Sequence, residues 1–125
     1  MAGRYSGVFE FTRVRSDGQV TPGSCPCTLL ISVQSGSYFN GTATFGAPCG
    51  GTLPATAGRV EEDGTIEFSL ATNLLGHGCV KLTRPPLSGT YAYGTISVET
   101  TEEYDCSDTD GFQYTLDIAL TVTRT

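Results

Sequence analysis

The sequence predicts an all-β protein, and within that class a single eight-stranded antiparallel up-and-down β-barrel. Three observations support this prediction. Residues that suit strands and tight turns dominate the composition, with 16 glycines among 125 residues. No stretch of ten residues has a helical period, and turn signals divide the chain at regular intervals. A chain of this length is expected to fold as one domain, residues 1–125, that buries most of its surface.

The turn signals set the order of the strands. Asp63-Gly64 is the strongest hairpin signal, because both turn positions need positive φ and Asp-Gly adopts it at low cost. Ser35-Gly36 predicts another tight hairpin, and Pro85-Pro86 ends a short strand because proline cannot donate ladder hydrogen bonds. A bulge is expected near Gly94, inside the seventh strand. The eight predicted strands cover residues 4–15, 27–34, 38–46, 53–62, 65–72, 79–83, 88–104 and 112–124.

Apolar and polar residues alternate along the strands, which predicts one inward and one outward face. Eight antiparallel strands with short links can close into a barrel with no open edge, since an even count lets the first strand pair antiparallel with the last. A two-sheet β-sandwich is the alternative architecture with the same faces. The last strand has the clearest inward face, which comprises Phe112, Tyr114, Leu116, Ile118, Leu120 and Val122.

The five cysteines are predicted to lie at one end of the barrel. In an up-and-down meander the connections alternate between the two ends, so the longer loops gather at one of them. Those loops contain or adjoin every cysteine, together with the single histidine, His77. The cysteines are Cys25, Cys27, Cys49, Cys79 and Cys106.

Disulfides are the favoured interpretation of these cysteines. If Gln34 faces Ser37 across the second hairpin, either Cys25 or Cys27 comes close to Cys49. A second bridge joins Cys79 to Cys106 or to the other member of the Cys-Pro-Cys pair, and one of the five thiols stays free or bonds outside the chain. A zinc site that includes His77 and a redox role are the alternatives, but a second paired spacing and a Cys-x-x-Cys motif are both missing.

Charge and composition argue against nucleic-acid binding and membrane insertion. A net charge of −6 argues against nucleic-acid binding, which needs clustered Lys and Arg. No apolar run is long enough for a membrane-crossing helix, and the strands lack the continuous apolar band of an outer-membrane barrel, so no membrane insertion is expected. No signal peptide is expected within the sequence, but five cysteines in a small acidic β domain favour a secreted or periplasmic protein in its mature form. No cofactor is expected.

Two polar features have a structural interpretation. Asp105, Asp108 and Asp110 are candidate calcium ligands, but their spacing does not complete a twelve-residue calcium loop, so an exposed acidic loop is favoured and no metal is expected. His77 lies between glycines, and no Gly-x-Ser-x-Gly elbow exists to present a serine nucleophile.

Aromatic side chains are expected to face the lumen. Small residues on the third and fourth predicted strands, at Gly41, Ala43, Ala55 and Ala57, would leave space for a ligand among the rings, although small barrels also close their interiors with side chains alone. The predicted lumen residues are Phe9, Phe11, Phe39, Phe45, Phe68, Tyr91 and Tyr93.

The layout of alternating strands that ends in "LSGTYAYGTISV" and "YTLDIALTVTRT" resembles small lipocalin-like or avidin-like (calycin-type) barrels across the whole chain. The resemblance implies a ligand-binding barrel. It assigns no binding residues, because the chain has no tryptophan where these families have characteristic ones. In size the chain is also similar to barrel cyclases such as the allene oxide cyclase-like and spirotetronate-forming enzymes.

Three functional hypotheses follow. The leading one is an exported, non-enzymatic barrel that binds a small apolar molecule in its aromatic-lined lumen. The second is a cofactor-free cyclase or isomerase that uses the lumen to shape its substrate, with a tyrosine, Glu10 or Glu67 polarising it. A carboxyl group or a cluster of tyrosines that points inward would favour this enzyme. The third is a structural or surface-interaction protein whose barrel is filled.

Overall fold

The computed structural model describes residues 1–72, 74–75, 78–83 and 85–125, apart from the side chain of Val33. These residues form nine β-strands and contain no α-helix. The strands are β1 Gly3–Arg15, β2 Val20–Ser35, β3 Tyr38–Phe45, β4 Thr52–Val60, β5 Thr65–Leu70, β6 Val80–Lys81, β7 Leu87–Ala92, β8 Thr95–Cys106 and β9 Phe112–Arg124.

Eight of these strands close into an antiparallel barrel, as the sequence predicts. Neighbours along the barrel follow the order β1, β2, β3, β4, β5, β7, β8 and β9, and β9 pairs back onto β1. The closing pairs run from Tyr5 opposite Arg124 to Arg15 opposite Tyr114. We call the end with residues 16–19, 46–51 and 107–111 the mouth, and the opposite end, which has both termini, the base.

The region from residue 79 to residue 106 differs from the prediction. The seventh predicted strand is two strands, β7 and β8, joined by a hairpin at Tyr93 and Gly94 where a bulge was expected. The sixth predicted strand is reduced to β6, which pairs with β8 at Asp105 and Tyr104. Since β6 and β7 lie along the same edge of β8, Pro85-Pro86 connects them there and is not a turn at the base. The barrel still has eight strands, because the additional hairpin replaces the sixth predicted strand.

Glycines allow neighbouring strands to approach closely where the sheet bends. A Cβ atom at Gly7 would lie 2.0 Å from the carbonyl oxygen of Thr121 on β9. One at Gly89 would lie 2.0 Å from the carbonyl oxygen of Ser97 on β8. Both distances are too short for a side-chain atom. Glycine at these positions therefore allows neighbouring strands to pair as closely as a small barrel requires.

Side chains fill the middle of the barrel. The alternation predicted for the last strand is confirmed, because Leu116, Ile118, Leu120 and Val122 of β9 are buried. On β5 the alternate residues Ile66, Phe68 and Leu70 are buried in the same way. On β2 Leu29 and Ile31 are buried, while the side chain of Val33 lies outside the described part. Ala43 and Ala55 are buried as expected, but Ala57 is exposed at a β-bulge in β4.

Tyrosine side chains close the base. The Tyr5 hydroxyl donates to the carbonyl oxygen of Met1 at 2.5 Å and lies 3.5 Å from the Tyr91 hydroxyl. Burial, followed by the contact with Tyr91, raises the pKa of Tyr5 to about 12. The guanidinium of Arg124 lies over the Tyr5 ring at 5.6 Å. Side chains therefore close the barrel at its base.

Candidate functional site

A cavity of about 500 Å³ opens at the mouth of the barrel. Its wall is formed by aromatic side chains of β1 and β3, the connection between β3 and β4, and residues that follow β5. We call it the mouth cavity. Its lining residues are Phe9, Phe11, Phe45, Pro48, Cys49, Gly50, Gly51, Thr52, Leu53, Thr72 and Leu74.

Three phenylalanines form the aromatic wall of the mouth cavity. Phe9 and Phe11 share the inward face of β1 because they are two residues apart. The Phe9 ring packs edge-on against Phe45 with 5.1 Å between ring centroids, and its centroid lies 5.9 Å from that of Phe11. Gly23 on β2 leaves the space that the Phe11 ring occupies, since a Cβ atom there would lie 2.4 Å from the ring. All three side chains line the mouth cavity.

The loop between β3 and β4 forms the rim of the mouth cavity. The backbone N–H groups of Cys49 and Gly50 both donate to the carbonyl oxygen of Gly46 at 3.1 Å. The backbone N–H of Phe45 donates to the carbonyl oxygen of Gly51 at 2.9 Å. A disulfide between Cys25 and Cys49 fixes this loop to β2, with 6.0 Å between the Cα atoms.

The register between β2 and β3 explains the choice of Cys25. The hairpin pairs Gln34 with Phe39 and not with Ser37, and a bulge between Ile31 and Val33 then shifts the register by one residue, so that Cys27 lies opposite Phe45. Cys27 is therefore level with the end of β3, and Cys25, two residues nearer the mouth, is the one that bonds to Cys49 beyond it. The second disulfide joins Cys79 to Cys106, which leaves Cys27 as a buried free thiol. These two bridges resolve the pairings that the sequence left open.

A buried polar cluster adjoins the mouth cavity at Thr72. The Thr72 hydroxyl donates towards both oxygens of the Glu102 carboxylate, at 2.9 Å from Oε2 and 3.1 Å from Oε1. The Tyr104 hydroxyl donates to Oε1 of Glu102 at 2.9 Å. Glu102 itself is only 2% exposed. The cluster therefore connects a side chain of the cavity wall to a carboxylate inside the barrel.

Lys81 supplies the countercharge for this carboxylate. Its Nζ lies 2.5 Å from Oε2 of Glu102 and donates to the carbonyl oxygen of Thr72 at 2.8 Å. The two side chains are 8% and 3% exposed, so the pair is shielded from solvent. A buried carboxylate is stable in a fold only when it is paired and hydrogen-bonded, and Glu102 has both kinds of partner.

Sequence reasoning missed Glu102, because the segment "ETTEEYDCSDTDG" reads as a continuous acidic surface. A signal was nevertheless present. Glu102 has the same parity as Ile96, Val98 and Tyr104, all of which point inward on β8. By contrast, Glu10 and Glu67, the carboxylates considered for catalysis, are exposed.

The remaining predicted lumen residues lie away from the mouth cavity. Phe39 and Phe68 pack against each other in the core, with 6.0 Å between their centroids. Tyr91 is partly buried at the base beside Tyr5. The prediction that Tyr93 lies in the lumen is wrong. This side chain is fully exposed, because it occupies the hairpin turn between β7 and β8 and not a strand.

The acidic loop stabilises its own turns. Asp105 accepts a hydrogen bond from the backbone N–H of Ser107 at 2.9 Å, and its contacts with Ser107 lower the pKa of its carboxyl. Asp110 accepts from the backbone N–H of Phe112 at 2.9 Å and from the Tyr114 hydroxyl, and the latter bond is the main cause of its lowered pKa. Asp108 is exposed.

Within residues 1–72, 74–75, 78–83 and 85–125, no three His, Cys, Asp or Glu side chains are grouped so as to hold a metal ion. His77, the candidate histidine ligand of a zinc site, lies outside the described residues. Four of the five candidate sulfur ligands are bonded in disulfides. Across the described part of the chain, no helix is long and apolar enough to span a membrane.

Comparison with known proteins gives a likeness of fold alone. No protein-family model and no curated protein matches the sequence. Among solved structures, a redesigned β-barrel is 13% identical, with a TM-score of 0.45, over 99% of this chain and 90% of that one. EF1p2_mFAP2b bound to DFHBI is 16% identical, with a TM-score of 0.48, over 99% of this chain and 93% of that one.

Proposed function

We propose that this protein is an exported, non-enzymatic barrel that binds a small, largely apolar molecule in the mouth cavity. The observation that carries the proposal is the cavity itself, because its volume of about 500 Å³ and its wall of Phe9, Phe11 and Phe45 suit such a ligand. Small-molecule sites have volumes of roughly 300–1,000 Å³ and combine mostly apolar walls with a few polar groups. Here Thr72 is such a polar group.

Two further observations support the proposal. The middle of the barrel is filled with side chains, so the ligand is proposed to lie at the mouth and not along the whole axis. The two disulfides, which link the mouth loops to β2 and β8, are typical of proteins that fold in an oxidising compartment, in agreement with export.

The position of Glu102 and its contacts favour binding over catalysis. An inward carboxylate was one of the two features expected of a cyclase or isomerase, and Glu102 is such a carboxylate. However, it is absent from the cavity lining, and Lys81, Thr72 and Tyr104 already contact its oxygens. A general base must reach the proton that it removes, directly or through one water. Glu102 is engaged behind Thr72 and is assigned a structural role.

A cavity-filling variant tests the proposal. N-phenyl-1-naphthylamine, an apolar probe whose fluorescence rises on leaving water, is titrated into the folded protein. We expect saturable binding to the natural chain. Leu53 lines the cavity, so Leu53→Trp should occupy part of its volume and weaken binding at least about tenfold.

The matched control is Leu30→Trp, which makes the same change at an exposed position on the outer face of β2. This variant should bind the probe as the natural chain does. The proposal would be abandoned if the natural chain failed to bind the probe, or if both tryptophan variants bound it equally well.

A further inference from the structure

We infer that the mouth cavity selects apolar ligands that donate a hydrogen bond at the Thr72 end, such as a neutral phenol, alcohol or amine, over ligands that offer only an acceptor. This inference rests on the proposed function and specifies its ligand. The directions of the protons on the polar groups around the cavity determine this preference.

The single proton of the Thr72 hydroxyl is directed at Glu102. A threonine hydroxyl has one proton to donate and two lone pairs that accept. An ionised carboxylate accepts only, and Lys81 Nζ at 2.5 Å from Glu102 Oε2 has the geometry of an ammonium–carboxylate pair. The Thr72 hydroxyl lies 2.9 and 3.1 Å from the two carboxylate oxygens, so its proton is committed to Glu102. Its remaining capacity is that of an acceptor.

Backbone N–H groups around the cavity donate to carbonyl oxygens of the protein. The N–H of Thr72 donates to the carbonyl oxygen of Leu70 at 2.9 Å. On the opposite rim, the N–H groups of Cys49 and Gly50 donate to Gly46. These donors are committed within the protein, so a ligand that brings only acceptors has to give up its own hydrogen bonds to water without replacement at these groups.

The charge of the protein adds to the same preference. The net charge of −6 disfavours an anionic ligand at long range. A carboxylate placed at the Thr72 end would in addition meet a hydroxyl oxygen that has no proton to give it. A neutral or cationic donor meets an acceptor instead.

Two probes that differ in hydrogen-bond donation test the inference. 2-Naphthol and 2-methoxynaphthalene share a ring system and have an oxygen at the same position. Only the hydroxyl of 2-naphthol can donate a hydrogen bond. Binding of each is measured by calorimetry at pH 7. We expect the naphthol to bind about 3–10-fold more tightly, the ratio that one net hydrogen bond provides.

Two variants of Thr72 assign this ratio to its hydroxyl. Thr72→Ser keeps the hydroxyl and should keep the preference. Thr72→Val removes it and should reduce the ratio to about one while both probes still bind. Circular dichroism spectra establish that each variant is folded, and if Thr72→Val fails to fold, Thr72→Ala makes the same comparison.

The outcomes separate the inference from the proposed function. If neither probe binds, the proposed function and the inference both fail. If both probes bind with equal affinity and Leu53→Trp weakens both, the binding function stands and the inference is overturned. If Thr72→Val keeps the preference for 2-naphthol, the inference is again overturned, because the selecting acceptor lies elsewhere.

Discussion

The free cysteine, Cys27, is chemically shielded although it lies two residues from a disulfide. Its side chain is 2% exposed on the inward face of β2. Burial raises the pKa of the Cys27 thiol from its ordinary value of 9.0 to about 11. Because the thiolate is the nucleophile, a thiol with this pKa is unreactive near neutral pH. The redox role that the Cys-Pro-Cys sequence suggested is therefore not supported by the environment of Cys27.

The same shift predicts how the stability of the fold depends on alkaline pH. The folded-state pKa lies above the unfolded one, so Cys27 contributes fully below pH 9 and its contribution is lost as the pH rises from 9 to about 11. We expect the free energy of unfolding to fall by about 1–2 kcal/mol across this window from Cys27 alone. Urea denaturation at pH 8 and pH 10.5 measures it.

Cys27→Ala provides the comparison, because the variant should show a smaller loss between these two pH values. The loss will not vanish, since Tyr5, with its pKa raised to about 12, begins to contribute above pH 10. An equal loss in Cys27→Ala and in the natural chain would show that Cys27 is not the group responsible.

For single residues, the sequence indicates whether a side chain faces inward more reliably than it indicates which residue that side chain contacts. Phe9, Phe11 and Phe45 are recognisable because an aromatic side chain on an alternating strand has one favourable side. The parity of Glu102 on β8 also indicates its inward face, but the residue that offsets the cost of burying its carboxylate, Lys81, is 21 residues away in sequence. The pairing depends on where β6 lies, and local pattern does not contain that information.

Among the structural elements, the hairpin between β7 and β8 is the one with the least favourable sequence. Tyr93 has φ of 52° and Gly94 has φ of 75°, so both turn positions are left-handed. Asn-Gly suits such a turn, whereas a tyrosine at the first position costs free energy. This atypical pair explains why residues 88–104 read as one strand.

Replacing Tyr93 by asparagine should therefore stabilise the protein. Tyr93 is fully exposed, so Tyr93→Asn removes no core contact while relieving the unfavourable φ. We expect a gain of about 0.5–1 kcal/mol in the free energy of unfolding, seen as a melting temperature higher by roughly 2–5 °C. Tyr38→Asn, at an exposed tyrosine inside β3, is the control and should not stabilise. An unchanged or lower melting temperature for Tyr93→Asn would contradict the assignment.

For the whole molecule, the barrel is predictable because it follows from the number and direction of its strands. Strand alternation and the pairing of β1 with β9 require only that each strand is present with the correct face. The segment between β5 and β7 is less predictable. Near the base β7 covers the edge of β8, and near the mouth β6 covers it, held by the disulfide between Cys79 and Cys106. A two-residue strand has too little pattern of its own to be recognised.

The ion pair between Lys81 and Glu102 is predicted to hold β6 in this position, and a double-mutant cycle tests it. Lys81→Met leaves the Glu102 carboxylate buried without its countercharge, and Glu102→Gln leaves the Lys81 ammonium in the same state. Each change should lower the free energy of unfolding by about 3–5 kcal/mol. The double variant contains neither charge, so it should be more stable than the sum of the single effects predicts, by at least about 1 kcal/mol.

Arg59→Met is the control, because it breaks the exposed pair with Glu61 and should cost less than about 1 kcal/mol. Additive effects of the two buried changes in urea denaturation would mean that the pair does not fasten β6 to the barrel.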